Sequence, residues 1–200
     1  MTLDNRSISE VQGLFAEATK NPLRGMLGVM QLVGIASHLE GARKQVARIA
    51  ENLALSNESP ASREKAIEQA LMDVHFYFIC WHAVHQHITV LRSISGLRSP
   101  TTVWKRYRVH LEHFSRGRDH LEHYPDRLRG KKNKKGEGLA RPGYLGDLDA
   151  LGTYFFGGDS FDVTTKSLAV LDEIVAAVIR ESIDEARSIV GPIAPRSAPN

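Results

Sequence analysis

The chain has 200 residues, of which 42% are hydrophobic, and a formal net charge of +3. That length suits one domain with a real core, or one domain with an appendage, and the apolar content is too low for a polytopic membrane protein. The charge is uneven: between Lys105 and Arg141 stand twelve Lys or Arg against five Asp or Glu, while the remainder is slightly acidic, an asymmetry that suits phosphates or acidic partners.

In chain order, Ser9 to Lys20 reads as a short helix, with Val11, Leu14, Phe15 and Ala18 on one side. Asn21-Pro22 breaks it, and Pro22 fits the first turn of a second helix running to about Leu55. Gly25, Gly28, Gly34 and Gly41 weaken that helix, and Gly34 or Gly41 marks a bend or a close crossing. A third helix runs from Ser62 to about Ser95. Its centre, Leu71 to Val84, is apolar nearly all round and is expected to be the most buried element. After a loop, Ser99 has the chemistry of an N-cap and Pro100 that of a first helical residue, so a fourth helix extends to about Tyr124, before Pro125. Arg127 to Pro142 is basic and Gly-rich. Two β-prone runs around Gly157-Gly158-Asp159 predict a hairpin over 152–163. Thr164 or Thr165 then caps a last helix to about Val190.

The sum is an all-α fold, an antiparallel bundle of four to five helices with a small β-hairpin excursion near 152–163. Residues 1–190 are expected to form a single helical-bundle domain, with 127–163 as a basic loop and hairpin insertion and 191–200 as a flexible tail. Cys80 is the lone cysteine, so no disulfide within the chain is possible, which suits a reducing compartment. The N-terminal MTLDNRSISE lacks the apolar core of a secretion signal, and the longest apolar stretch, Met26 to Ala36, is too short for a bilayer. A cytoplasmic protein without a membrane partner is the expectation.

The fourth helix carries the pattern with the most chemistry. Arg118-Asp119-His120-Leu121-Glu122-His123 follows a near copy of itself ten residues earlier, Arg108-Val109-His110-Leu111-Glu112-His113. At about 100° per residue, Val103, Tyr107, Leu111, Phe114, Leu121 and Leu128 form an apolar stripe. Arg116, His120, His123 and Arg127 point away from it. Arg118 falls near the middle of the stripe, roughly 140° from His123. A charged arginine facing a core needs a partner, and Glu122, four residues on, is the expected one. Asp119 stands one turn before His123, where it can accept from the ring. One reading of these residues is therefore an ion pair beside a surface ladder.

The other reading is catalytic. Arg118-Asp119-x-x-x-His123 resembles the motif of the HEPN family (higher eukaryote and prokaryote nucleotide-binding): arginine, a polar residue, three residues, histidine. Arg108 to His113 has Val109 at the polar position and is the poorer match. The resemblance covers six residues and the all-helical setting. It implies a helical bundle that commonly forms a homodimer with the motifs facing each other. It also implies cleavage of RNA without metal, in toxin–antitoxin, abortive-infection or CRISPR-linked defence. Arg118, Asp119 and His123 would be the catalytic residues. A histidine can take the proton of a ribose 2′-hydroxyl or protonate the leaving oxygen near neutral pH. An arginine can hold the phosphate and stabilise its growing charge, and a carboxylate can orient the ring. The family motif usually opens its helix or follows a bend; here it lies late in a continuous one. Without a kink near Ser115 or Gly117 the pair converges only across a dimer axis. Arg116, Arg127, Arg129, Lys131, Lys132, Lys134 and Lys135 would attract RNA through its phosphates.

Two alternatives come from other classes. A non-enzymatic helical module would bind nucleic acid or an acidic protein through the basic face. A metal-dependent bundle enzyme would draw on His75, His82, His85 and His87 of the third helix with His113 and His120 of the fourth. No Glu-x-x-His pair, HExxH or phosphate-binding glycine loop is present. No metal ligand set and no cofactor is assigned.

Overall fold

The computed structural model describes residues 5–57, 60–94, 97–122, 146–156 and 158–191. Among them lie five helices: α1 (Asn5–Ala18), α2 (Pro22–Ser56), α3 (Pro60–Arg92), α4 (Ser99–Glu122) and α5 (Thr165–Val190). Three short strands precede α5: β1 (Asp147–Leu148), β2 (Thr153–Phe156) and β3 (Asp159–Asp162). The fold is thus an all-α bundle with a small antiparallel sheet. The sheet has one strand more than the expected hairpin, because a two-residue β1 is too short to show alternation. The expected tail, 191–200, lies outside the described residues beyond Gly191.

The helix ends follow local chemistry. Asn21 Oδ1 accepts the backbone N–H of Arg24 at 3.1 Å and so caps α2. Thr164 caps α5, its Oγ1 accepting the N–H of Lys166 at 3.1 Å, while Asp162 holds Thr164 in turn. The start of α4 corrects the sequence reading. The carboxylate of Glu185 on α5, and not the Ser99 side chain, takes the backbone N–H groups of Arg98 and Ser99, at 2.7–2.8 Å. Burial opposes the charge on Glu185, but those backbone donors outweigh it and draw its pKa below the ordinary carboxylate value.

The chain divides into two compact units. One comprises Met1–Ala36, Gln86–Tyr107 and Ile174–Asn200. Its core includes Phe15, Leu32, Ile35, Ile88, Leu91 and Val103, all fully buried. Gly25 packs so closely on α1 that a Cβ there would lie 2.4 Å from the Ala16 backbone nitrogen. Gly34 is a close-crossing position as expected: a Cβ there would meet the His87 ring at 2.5 Å. His87 Nδ1 is hydrogen-bonded to Gln31 at 2.8 Å.

The other unit comprises Ser37–His85 and Arg108–Glu173. Its core is aromatic. Trp81 of α3 stacks on Phe114 of α4 at 4.1 Å and 9°. Phe78 meets Phe161 of β3 at 5.0 Å and Tyr154 of β2 at 5.7 Å. Tyr154 and Phe161 are cross-strand partners, so the inward face of the sheet closes this core. Tyr77 is fully buried and shares a 2.8 Å hydrogen bond with Ser167 of α5. The centre of α3 is less uniformly buried than its composition suggests. Met72 and Phe76 are 52% and 50% exposed, one turn apart on its outer face.

Candidate nucleic-acid site on the fourth helix

The C-terminal half of α4 is set by one buried turn. Phe114, Ser115 and Gly117 are all buried. Phe114 enters the aromatic core, and Ser115 Oγ is 2.9 Å from His85 Nδ1. Gly117 lies against Phe78, where a Cβ would sit 3.1 Å from the ring. The missing side chain lets α4 approach α3 closely and brings the next residue, Arg118, to the edge of the core.

Arg118 is where the helical wheel puts it. Its side chain is only 27% exposed, and Nη1 lies 3.0 Å from Asp119 Oδ1. An ion pair joins the neighbours Arg118 and Asp119, and the side chain of Glu122, the expected i, i+4 partner, lies outside the described residues. Asp119 is thus engaged by the arginine. His123, Arg127, Arg129, Lys131, Lys132, Lys134 and Lys135 lie outside the described residues. Arg116 is within them and exposed, with Nε 3.9 Å from Asp159 Oδ2. No break in α4 occurs before Glu122, so Ser115 and Gly117 do not end the helix.

The first copy of the motif behaves differently. Arg108 pairs with Glu112 at 2.7 Å on the surface, and Val109 is 78% exposed. His113 stacks on Phe161 with ring centroids 4.5 Å apart, and its Nδ1 is 3.3 Å from Arg116 Nη2. Burial, then the charge of Arg116, pushes the His113 pKa below the ordinary value. This histidine packs the sheet onto α4, a role without a local signal, because Phe161 lies almost fifty residues away.

Other chemistry-bearing groups are structurally committed. Asp73 of α3 is 1% exposed, held by Arg48 Nε and Asn52 Nδ2 of α2, each at 3.2 Å. Burial pushes the Cys80 thiol up to about 11, which leaves little thiolate at neutral pH. Among the described residues no group of three or more His, Cys, Asp or Glu is placed to hold a metal ion. None of the described helices is long and apolar enough to cross a membrane. A groove of about 380 Å³ between α2, the β1–β2 turn and the start of α5 is lined by Val46, Ile49, Leu53, Leu151, Val163 and Thr164. Among the described residues, neither Arg118 nor Asp119 borders it.

No protein-family model, no curated protein and no solved structure matches the chain. The family resemblance therefore rests on the motif and the helical setting.

Proposed function

We propose that this chain is a HEPN-like RNA-acting protein, a metal-independent endoribonuclease of a defence or toxin–antitoxin type, working in the cytoplasm as a homodimer. Arg118 and His123 are its reactive pair. The observation that carries the reading is the placement of Arg118. Its side chain is only 27% exposed at the edge of the core, beside Asp119 of the same helix. Keeping a guanidinium in so dry a setting costs free energy, and phosphate binding would give that charge a use. In this reading the arginine holds the scissile phosphate, His123 moves the proton of the attacking 2′-hydroxyl or of the leaving 5′-oxygen, and Asp119 sets the charge between them. The basic run from Arg127 to Lys135, with Arg116, supplies non-specific attraction that weakens as salt rises. The test is a purified-protein assay on structured and unstructured RNA in chelator. Cleavage leaving 2′,3′-cyclic phosphate ends is the expected result; intact RNA in every condition counts against it.

A second reading has its own support. Four arginines of α4 are engaged by acids of the same chain: Arg106 by Glu181, Arg108 by Glu112, Arg116 by Asp159 and Arg118 by Asp119. Cations already compensated suit a non-enzymatic module that docks a protein, or holds nucleic acid weakly, better than a tight phosphate binder. RNA binding without cleavage, or capture of a protein partner that His123→Ala leaves intact, would favour it.

A further inference from the structure

We propose that His113 is an acid-sensitive clasp, which holds β3 on α4 while its ring is neutral and lets go when the ring takes up a second proton. The inference does not depend on RNA cleavage. It starts from the geometry on both sides of the ring. One face lies on Phe161, at 4.5 Å between centroids and 26° between planes, and Phe161 is fully buried. At the ring edge, Arg116 Nη2 stands 3.3 Å from Nδ1. A guanidinium can only donate, so Nδ1 accepts and carries no proton. The ring's own N–H is then on Nε2, and the Ser160 backbone lies within hydrogen-bonding reach of the ring. The neutral ring thus reaches the strand through its stacked face and the Ser160 backbone, while Nδ1 ties it to Arg116 of its own helix.

A second proton has to go on Nδ1. It would set donor against donor at Arg116 and place two cations side by side. The charged and titratable groups that face the ring are few. From α4, Arg116 and His110 oppose the proton; from β3, Asp159 favours it. Asp159 Oδ2 is 3.9 Å from Arg116 Nε, so its charge is already shared with the guanidinium. Stacking on Phe161 gives a cation some return. Burial outweighs these gains, and the closed ring holds a proton less well than a solvated histidine. The sign follows. A histidine whose closed-state pKa lies below the free value of about 6.5 strengthens the closed form above that pH. The contribution is lost progressively as pH falls from there toward the closed-state pKa. Acid therefore loosens β3 from α4 and uncovers Phe161 and its neighbours in a local opening.

The test is amide hydrogen exchange on the full chain, at pH 7.5 and pH 5, corrected for intrinsic exchange rates. Protection at Phe155, Phe156 and Asp159–Val163 is expected to fall in acid, by up to about thirtyfold, the ceiling set by the distance from the free value of about 6.5 to pH 5. The amides of α3 should hold their protection. His113→Phe keeps a ring on Phe161 but cannot titrate, so its sheet amides should show no such fall. Equal protection of the wild-type sheet at both pH values, or the same fall in His113→Phe, overturns the clasp. Should His113→Phe not fold, the ring titration of wild-type His113 by NMR decides. A ring pKa at or above that of free histidine overturns the proposal; one below it, together with acid loss of sheet protection, supports it.

Discussion

The two Arg-x4-His copies on α4 share a spacing and part ways in environment. In the first, Arg108 is out in solvent with Glu112, and His113 turns inward onto Phe161. In the second, Arg118 is the residue drawn toward the core, and His123 lies outside the described residues. Ten residues advance a helix by about 1000°, which returns a position only to within roughly 80° of its start. That offset takes the arginine from the solvated surface in the first copy to the edge of the core in the second. A repeated motif on one helix is thus not a repeated site; the neighbour that each copy meets decides its chemistry.

Substitution of the two arginines gives the sharpest contrast. Arg118→Ala should lower RNA cleavage at least about 100-fold, the scale of a lost charge stabiliser. Arg108→Ala should change it less than about twofold. Both should be read beside circular dichroism, since Arg118→Ala can leave an acidic neighbour uncompensated. Equal effects of the two changes would erase the distinction between the copies.

The second contrast is steric. Gly117 precedes Arg118, whereas Tyr107 precedes Arg108. Only the second copy needs its helix pressed against Phe78. Gly117→Val should destabilise the fold by about 1–3 kcal/mol through overpacking, measured by urea unfolding. A stable variant would mean that the close approach is not required.

A smaller effect is expected at the start of the helix, in the other unit. Glu185→Ala removes the carboxylate that takes the first backbone donors of α4, at a cost of about 1 kcal/mol in urea unfolding. The pKa of Glu185 is lowered in the folded state, so its contribution is present above the free value of 4.5 and fades as pH falls through the folded pKa. A Tm difference between wild type and variant that stays constant from pH 7 to pH 3 would contradict this. The smallest expected effect is at the exposed pair of the first copy. Glu112→Gln should shift stability by no more than about 0.5 kcal/mol, since both partners are largely solvated. A loss several times larger would show that the first copy is no mere surface pair.

Periodicity made the helices legible. The periodicity of α4 puts Arg118 within the apolar stripe, in line with its low exposure, and Gly-Gly-Asp announces the turn between β2 and β3. What stayed hidden depended on distant partners. Nothing near Ser99 signals that Glu185, eighty-six residues later, caps its helix. Nothing near His113 points to Phe161, and the burial of Asp73 needs Arg48 and Asn52 from another helix. Arg118 meets Asp119 at 3.0 Å, a neighbour that the i, i+4 rule passes over. Met72 and Phe76 were expected inside, because an apolar composition does not tell which face of α3 a neighbour covers.

The central claim is that the second copy moves protons on RNA. The most direct measurement compares wild type with His123→Ala on the same RNA, in chelator, with folding checked by circular dichroism. Wild type should release fragments ending in 2′,3′-cyclic phosphate, and folded His123→Ala should release none, while His113→Ala keeps most of the activity. Cleavage by folded His123→Ala at the wild-type rate would contradict the account and leave the binding-module reading in its place.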